Sequence, residues 1–260
     1  MNGAALIKEL EKKYPLCMAE SWDNSGFLAG RREKDVKKVY LALDATEQVI
    51  QDAKAVGADF LLTHHPMLFS PVKKVNTDDF IGRRLVELIQ SDITYYAMHT
   101  NYDVVTMGEL AADMLGFSDT EILEVTFEDE GKREGRGRTG KLPQPMTLRE
   151  CGEYVKKVFD LDSVKIFGNL EQKVVRAAVL PGSGKSMVDA ALQTGAEVFI
   201  SGDFGHHDGV DAVMKGLAVI DAGHYGLEHI FLAQMKEFLE KELPELTVYS
   251  EKIKSPFCVI

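Results

Sequence analysis

The sequence predicts an α/β protein with two similar α/β domains from an internal duplication, each with a sheet between helical layers (α-β-α). Two stretches share the order strand, turn, helix, turn, strand: VYLALDATEQVIQDAKAVGADFLLTHH from Val39 and RAAVLPGSGKSMVDAALQTGAEVFISGD from Arg176. GADFLLTH at Gly57 aligns with GAEVFISG at Gly195, and a His-x3-acid pattern follows each copy. Matching strands, turns and His-x3-acid patterns together favour duplication over two unrelated βαβ units with common spacing.

Hydrophobic patterning supports each element of the repeated unit. Leu41–Leu43 and Val198–Ile200 are short and β-rich, and turn-forming residues flank them, as is typical of buried strands. The segments between the strands place apolar residues at i, i+3 and i+4, which predicts helices. These helical positions are Val49, Ala53 and Val56 in the first copy, and Met187, Ala191 and Leu192 in the second.

The segments outside the copies predict three further elements. Met1 to Pro15 has the pattern of an amphipathic helix rather than a signal peptide, which predicts a cytoplasmic protein. Phe117 to Pro145 lacks periodicity and predicts a connection or an edge hairpin, with Lys132–Arg138 as a solvated loop. Thr147 and Glu150 form a capping-box pattern, which predicts a helix from there through Phe159.

Composition narrows the classes of partner. The chain has 260 residues, 45% of them hydrophobic, and a formal net charge of −11, as in a globular acidic protein. The negative charge argues against nucleic acid as a partner, and no apolar run is long enough for a membrane helix. Cys17, Cys151 and Cys258 lie far apart without a CxxC pair, which argues against a disulfide framework or a thiolate metal site.

Histidines mark the candidate site. All seven lie in groups that follow apolar strand segments: His64-His65, His99, His206-His207, and His224 with His229. In open α/β sheets the carboxyl ends of the strands are where sites are built, and neutral imidazole is a common metal ligand.

Each candidate metal ligand has an alternative interpretation. His64 and His65 follow a strand, and their side chains diverge in extended backbone, so they suit two different ions or form a partly buried surface pair. His224 and Glu228 share one face of a predicted helix from Tyr225 to Leu239, as metal ligands or as an ordinary i, i+4 pair. Asp103 lies four residues after His99 and is a ligand or the cap of a turn.

Three more groups are candidates for supporting roles. His99 is interpreted as a residue that orients Asp103 or a bound water rather than as a ligand. His206 and His207, in SGDFGHHDG, are candidate proton donors or substrate contacts, or part of a polar loop. Ser21–Gly26, which contains the only tryptophan, is a lid or a plain turn, and PGSGKS at Pro181 is a phosphate loop or a plain turn.

The motifs together resemble one family. ESWDNSG, LLTHHPMLF, HTNYD, GRTGKL, SGDFGHHD, DAGHYGLE and the final SPF occur in this order over essentially the whole chain. The chain resembles the Nif-three-like proteins, often called GTP cyclohydrolase 1 type 2 homologs. The resemblance implies a duplicated α/β fold, a homohexamer and a dinuclear site for divalent ions. The ligands that it implies are His64, His65, Asp103, His224 and Glu228.

This resemblance and the donor set lead to functional hypotheses. Nitrogen and carboxylate ligands suit Zn, Fe, Mn, Co or Ni. A metal-dependent hydrolase that uses a metal-activated water is the first hypothesis, with a small molecule, nucleotide or purine-type compound as the substrate. The alternatives are a metal-handling or delivery protein and a regulatory interaction scaffold without turnover.

The predicted domains follow from the ligands. If His224 and Glu228 share a site with His64 and Asp103, the C-terminal part of the chain has to return to the first domain. The first domain therefore comprises residues 1–122 plus 224–260 and carries most ligands. The second domain comprises residues 123–223.

Overall fold

The computed structural model describes residues 1–129 and 131–260, and within these ranges helices and strands alternate along most of the chain. Chain order and bounds are α1 (Gly3–Lys13), β1 (Gly26–Ala29), β2 (Lys38–Ala42), α2 (Glu47–Ala55), β3 (Phe60–Thr63), α3 (Phe80–Gln90), β4 (Thr94–Ala97), α4 (Thr100–Tyr102), α5 (Gly108–Met114), β5 (Ser118–Asp129), β6 (Lys132–Thr147), α6 (Leu148–Val158), β7 (Lys165–Phe167), β8 (Lys173–Ser183), α7 (Val188–Gln193), β9 (Val198–Gly202), α8 (His206–Met214), β10 (Ala218–Asp221), α9 (His224–Glu228), α10 (Ile230–Glu242) and β11 (Thr247–Ser250).

Short helical turns complete the description. Leu16–Met18 and Lys185–Met187 form 3-10 turns, and Asp103–Met107 forms a π-helical turn.

The chain divides into two compact units. Unit 1 comprises Met1–Tyr102 and Phe231–Ile253, and unit 2 comprises Asp103–Ile230 and Lys254–Ile260.

Unit 1 is built on a mixed sheet. Its strand order is β1-β4-β3-β2-β11. β2, β3, β4 and β11 run parallel where they pair, and β1 pairs antiparallel with β4 at the edge. α2 and α3 pack on the sheet through buried apolar side chains, among them Val49, Leu61, Leu88 and Tyr95. Thr46 caps the first turn of α2 by accepting a hydrogen bond from the Val49 N–H, so the repeated turn also starts the helix.

Unit 2 repeats this arrangement. Its strand order is β5-β6-β8-β9-β10-β7, with β8, β9 and β10 parallel and β7 antiparallel at the edge beside β10. Its core includes Ala191, Phe199, Ala212 and Val219. The order β7-β10-β9-β8 therefore matches β1-β4-β3-β2 of unit 1. The sequence repeat corresponds to β2 and β3 in unit 1 and to β8 and β9 in unit 2.

Several predicted elements agree with the structure, and two differ from it. α1 lies within Met1–Pro15, and Thr147 and Glu150 form the predicted capping box of α6. β5 and β6 are the edge hairpin of unit 2. The interpretation of Lys132–Arg138 as a solvated loop is wrong, because these residues pair with β5 as part of β6. The predicted helix Tyr225–Leu239 is instead α9 and α10.

The basic residues of β6 explain the first difference. The Arg136 guanidinium donates to the Glu124 carboxylate on β5, at 2.5 Å for Nη2. Arg138 is 7% exposed and donates to the carbonyl oxygen of Gly135 at 3.0 Å. The glycines that suggested a loop are part of β6, and the Arg136–Glu124 pair joins it to β5, because opposite charges on neighbouring strands stabilise a sheet.

The unit boundaries lie elsewhere than the predicted domain boundaries. Residues 103–122, 224–230 and 254–260 belong to unit 2, whereas the predicted first domain contains them. Compact packing alone does not define a domain that folds independently, so the domain ranges stay a prediction. Across the described ranges 1–129 and 131–260, no helix is long and apolar enough to cross a membrane.

Candidate functional site

The first candidate ligands lie directly after β3 in unit 1. The strand ends at Thr63, and the backbone bends at His64 and His65, which precede Pro66. The two imidazole centroids lie 4.8 Å apart. The rings therefore stay close together, whereas extended backbone would direct them to opposite faces. The bend at the strand end explains the difference, since the alternation of side chains holds only within a strand.

The Nδ1 atom of each of these imidazoles forms a hydrogen bond with an oxygen atom. Nδ1 of His64 donates to the carbonyl oxygen of Met98 at 2.8 Å, and this histidine is completely buried. Nδ1 of His65 lies 3.0 Å from an Oδ1 atom of Asp44. Because carbonyl and carboxylate oxygens accept, Nδ1 carries the proton, and the lone pair of each neutral ring is on Nε2.

His99 is held in the same way, by a residue of the first loop. Its Nδ1 lies 2.8 Å from an Oδ1 atom of Asp23, whose side chain has no exposed surface. The other carboxylate oxygen, Oδ2, accepts from the hydroxyl of Ser25 at 2.7 Å and from the backbone N–H of Thr100 at 3.0 Å. Burial raises the pKa of Asp23, but His99 and the two hydroxyl groups outweigh it and hold that pKa well below its usual range.

Unit 1 thereby brings three imidazoles together. One ring nitrogen from each of His64, His65 and His99 lies within 4.8 Å of the others. Such a group could hold a metal ion. His99 was interpreted as orienting Asp103 or a water, whereas within unit 1 its Nδ1 is committed to Asp23.

Unit 2 holds the other candidate ligands on one short helix and one π-helical turn. His224 and Glu228 are the first and last residues of α9, and Nε2 of His224 lies 3.0 Å from Oε2 of Glu228. Nδ1 of His224 lies 2.7 Å from Oδ2 of Asp203, in the loop after β9. Asp103 begins the π-helical turn, and one of its carboxylate oxygens lies within 4.8 Å of a Glu228 oxygen.

Glycines make room for these side chains. A Cβ atom on Gly182 would lie 2.5 Å from Oε1 of Glu228, so the carboxylate packs directly on the backbone of β8. A Cβ atom on Gly202 would lie 2.6 Å from the backbone nitrogen of His224. Gly202 leaves no room for a Cβ because its neighbour is backbone, and Gly182 has a φ of +84°, which other residues rarely adopt.

The predicted proton donors lie on another helix of unit 2. His206 and His207 form the first turn of α8, both are exposed, and their ring centroids are 5.1 Å apart. Among the described residues, the groups that could hold an ion include neither of them. PGSGKS becomes the end of β8 and a 3-10 turn before the six-residue α7, which matches the plain-turn interpretation.

Sequence reasoning missed the residues that hold the imidazoles. Asp23, Asp44 and Asp203 each accept from one histidine. Asp23 lies in the segment Ser21–Gly26 that the sequence interpretation considered a lid or turn, and Asp203 lies in SGDFGHHD. The histidines themselves were a signal, because a histidine that binds metal through one ring nitrogen usually donates the N–H of the other to a carboxylate or carbonyl group.

The chain is similar to proteins of one family along its whole length. The family model described as Duf34/NIF3 (NGG1p interacting factor 3) matches residues 1–256. A Clostridium perfringens protein named GTP cyclohydrolase 1 type 2 homolog is 34% identical over 256 residues, which cover 97% of each chain. A Lactococcus lactis protein of the same name is 33% identical over 263 residues, which cover 99% of each chain.

Solved structures are similar in fold. A Bacillus cereus protein related to NIF3 matches with a TM-score of 0.92 at 25% identity, over 100% of this chain and 99% of that one. Reduced HcgD from Methanocaldococcus jannaschii matches with a TM-score of 0.83 at 30% identity, over 96% of this chain and 97% of that one. These likenesses confirm the predicted α/β fold class and the predicted family.

Proposed function

This chain belongs to the Duf34/NIF3 family, and we propose that it is a metal-dependent hydrolase with a dinuclear centre for divalent ions. The proposed ligands are those that the family resemblance implies: His64, His65, Asp103, His224 and Glu228. One observation carries the proposal. Each histidine of this set has Nδ1 on an oxygen acceptor within 3.0 Å. That arrangement fixes the tautomer that presents Nε2 to a metal ion.

The donor set fits the proposed ions. Imidazole nitrogens and carboxylate oxygens without sulfur suit Zn, Fe, Mn, Co or Ni. Bound divalent ions would lower the pKa of a water molecule and polarise an electrophilic substrate. Glu228 is the proposed bridging ligand, because a carboxylate offers two oxygens whereas each imidazole offers one lone pair.

The proposed substrate is a small molecule of nucleotide or purine type. The names of the bacterial relatives support this class. In a purine-type substrate, water would add at C8 of the five-membered ring. His206 or His207 would donate a proton to the departing nitrogen, because a protonated imidazole can act as a general acid. Their position on the first turn of α8 leaves both rings accessible to a ligand.

The test combines metal analysis with a substrate screen. The purified full-length chain is analysed for bound metals and screened for hydrolysis of nucleotides, including GTP, and of other small molecules. We expect divalent metal in the chain, and a turnover that Glu228→Gln abolishes and Glu242→Gln leaves unchanged. Glu242 is an exposed residue at the end of α10 and serves as a matched control. A metal-free chain, or turnover that survives Glu228→Gln, would refute the proposal.

The exposure of His224 favours a metal-handling protein as the second candidate. Its side chain is 35% exposed, and its partner Asp203 is 48% exposed, so a chelating partner can reach both. A delivery protein would exchange its metal with a small chelator within minutes and show no turnover in the same screen. A regulatory scaffold would bind its partner equally well when His224 and Glu228 are both replaced.

The proposed context is a homohexamer in the cytoplasm. The family resemblance motivates the assembly, and the sequence pattern motivates the location. The formal net charge of −11 disfavours nucleic acid as the partner. Light scattering at micromolar concentration is expected to report a mass of about six chains, and a monomer would refute the assembly.

A further inference from the structure

We propose that the cleft between α2 and α3 in unit 1 binds a small organic acid, with Arg84 as the residue that receives its carboxylate. Side chains of both helices line this cleft: Glu47, Gln48, Ile50, Gln51, Arg83, Arg84 and Glu87. Its volume is about 360 Å³, which lies within the range of small-molecule sites, roughly 300–1,000 Å³. None of these residues belongs to the proposed metal centre, so the inference goes beyond the proposed function and does not depend on it.

Arg84 provides the first observation, because its guanidinium has an unused donor. Its Nε atom is buried, and no residue that the structure describes accepts a hydrogen bond from it. Its positive charge also has no ion-pair partner across the described ranges 1–129 and 131–260. Buried N–H groups almost always have an acceptor, and a charged one is costly to leave without it. The unused donor therefore indicates an acceptor that the chain itself does not supply.

The ring of Phe80 holds this guanidinium in position. Phe80 is the first residue of α3, and Cζ of Arg84 lies over its ring, 4.9 Å from the centroid. The negative face of an aromatic ring attracts a guanidinium placed over it. The contact leaves free the N–H groups, which lie in the guanidinium plane. The Nε–H group and a neighbouring Nη–H group form a fork that matches the two oxygens of a carboxylate.

The other charged side chains of the cleft already have partners. Nη2 of Arg83 lies 3.4 Å from Oε1 of Glu47. Lys54 donates a hydrogen bond to Glu87. This hydrogen bond holds the pKa of the Glu87 carboxyl below its usual range, so the carboxylate stays ionised and paired. Among these side chains Arg84 therefore contributes one positive charge that no carboxylate balances.

This charge balance predicts the class of ligand. One uncompensated positive charge matches one carboxylate. A phosphate group carries a charge of about −1.5 to −2 near pH 7, and it would face the carboxylates of Glu47 and Glu87 with an excess of negative charge. Ile50, which is 1% exposed, provides an apolar part of the wall for a hydrocarbon chain. The cleft therefore favours a carboxylate on a short hydrocarbon skeleton over a phosphate ester.

The test measures butyrate binding to the full-length chain by saturation-transfer difference nuclear magnetic resonance, which detects weak ligands of large proteins. We expect butyrate to bind and its uncharged analogue butyramide not to bind at the same concentrations. Arg84→Gln removes the charge and the fork, and it is expected to weaken butyrate binding by about 10- to 100-fold. Arg149→Gln in α6 is the matched control, because Arg149 is exposed and pairs with Glu171, and it should bind as the unsubstituted chain does.

A second variant tests the charge balance and covers the case in which Arg84→Gln does not fold, which circular dichroism would show. Glu47 is exposed, and Glu47→Gln leaves Arg83 without its partner, so the cleft then has two uncompensated positive charges. Inorganic phosphate is expected to bind this variant about 3- to 5-fold more tightly than it binds the unsubstituted chain, as measured by phosphorus resonance line width. Unchanged phosphate affinity would overturn the assignment.

The remaining outcomes separate the cleft from the proposed metal centre, where a carboxylate could also bind. The butyrate titration is therefore repeated after metal has been removed with a chelator. Binding that persists without metal and depends on Arg84 supports the cleft, whether or not the chain is a hydrolase. Binding that chelation removes and Arg84→Gln leaves unchanged would assign butyrate to the metal centre and refute the cleft. Absence of butyrate binding, or equal binding of butyramide, would also refute it.

Discussion

The two units share a strand order but carry different donors at matching positions. Unit 1 places His64 and His65 directly after β3, whereas unit 2 places Gly202 at the last position of β9 and Asp203 directly after it. Gly202 packs against the backbone of His224, and Asp203 accepts from the same histidine. The duplicated position thus provides two imidazoles in one unit and one supporting carboxylate in the other.

The same contrast extends to the first strand of each copy. Asp44 follows β2 and accepts from His65, whereas its counterpart Gly182 lies in β8 against the Glu228 carboxylate. Unit 1 therefore collects nitrogen donors, and unit 2 collects carboxylates around one histidine. A duplication followed by this divergence gives the two units different sets of donor atoms on a repeated framework.

The largest effect is expected from removing the Glu228 carboxylate of unit 2. Glu228→Gln is expected to empty or severely weaken at least one metal site, because the change removes the negative charge and keeps the size. The fold should survive, as measured by circular dichroism. Elemental analysis of metal per chain checks the prediction, with Glu242→Gln as the control. Two ions per chain at unchanged affinity would show that Glu228 is not the bridge.

The next prediction concerns Gly202, which stands in unit 2 where unit 1 has His64. Gly202→Ala would place Cβ 2.6 Å from the His224 nitrogen and 2.8 Å from the Gly182 oxygen, both in the backbone. We expect a loss of unfolding free energy of about 1–3 kcal/mol, as for other overpacked positions. Urea denaturation of the metal-free chain measures it.

Gly226→Ala in α9 is the control for that substitution. Its Cβ would lie 3.1 Å from the flexible end of Leu161, a tight contact that this side chain can relieve by moving, and alanine favours a helix. If Gly202→Ala is as stable as the control, the backbone of unit 2 can move to accommodate a Cβ atom at this position. Steric crowding would then not explain why unit 2 has glycine where unit 1 has His64.

The sequence predicted the framework because the framework depends on patterns of neighbouring residues. Strand length, the turn at Gly57 and Gly195, and the capping box of Thr147 are local, so the repeat and α6 were predictable. The ends of the strands also identified the histidine groups. β6 was not predictable in the same way, because its arginines depend on distant partners: Arg136 pairs with Glu124 on β5, and Arg138 lies 3.6 Å from a carboxylate oxygen of Glu109.

The sequence indicated that the histidines would have oxygen partners, but it could not identify which residues those partners are. Asp23 and His99 are 76 positions apart, and Asp203 and His224 are 21 apart. Such pairs arise only when the strands assemble. The bend that brings His64 and His65 together was also hidden, because Pro66 indicates the end of a strand but not the direction in which the side chains then point.

A smaller effect compares the supporting carboxylates of the two units. Asp44 and Asp203 hold one histidine each and are 54% and 48% exposed, so solvent can partly replace them. Asp203→Ala and Asp44→Ala are each expected to weaken metal binding by about 10-fold, the low end for such partners. Competition with a chromophoric chelator measures the affinity. Asp23→Asn should weaken it more, because the Asp23 side chain is completely buried, and a larger loss for Asp44→Ala or Asp203→Ala would contradict this ordering by burial.

The smallest effect uses thiols to compare how readily the units open. Cys17 of unit 1 is exposed, whereas Cys151 in α6 of unit 2 is completely buried, and burial raises its pKa to about 12. Because the thiolate is the reactive form, Cys151 should react with a disulfide reagent only when unit 2 opens. We expect Cys17 and Cys258 to react at once at pH 8 and Cys151 to follow at the rate of unfolding.

The raised pKa also sets a pH dependence for unit 2. An unfolded thiol ionises near pH 9, whereas the folded one stays protonated to about pH 12. The folded state therefore binds the proton more tightly, so the contribution of Cys151 to stability is complete below pH 9 and declines between pH 9 and 12. Cys151→Ala should abolish this decline and leave Cys17 labelling unchanged. Immediate reaction of all three thiols in the folded chain would show that α6 is open in solution and that unit 2 is the looser of the two.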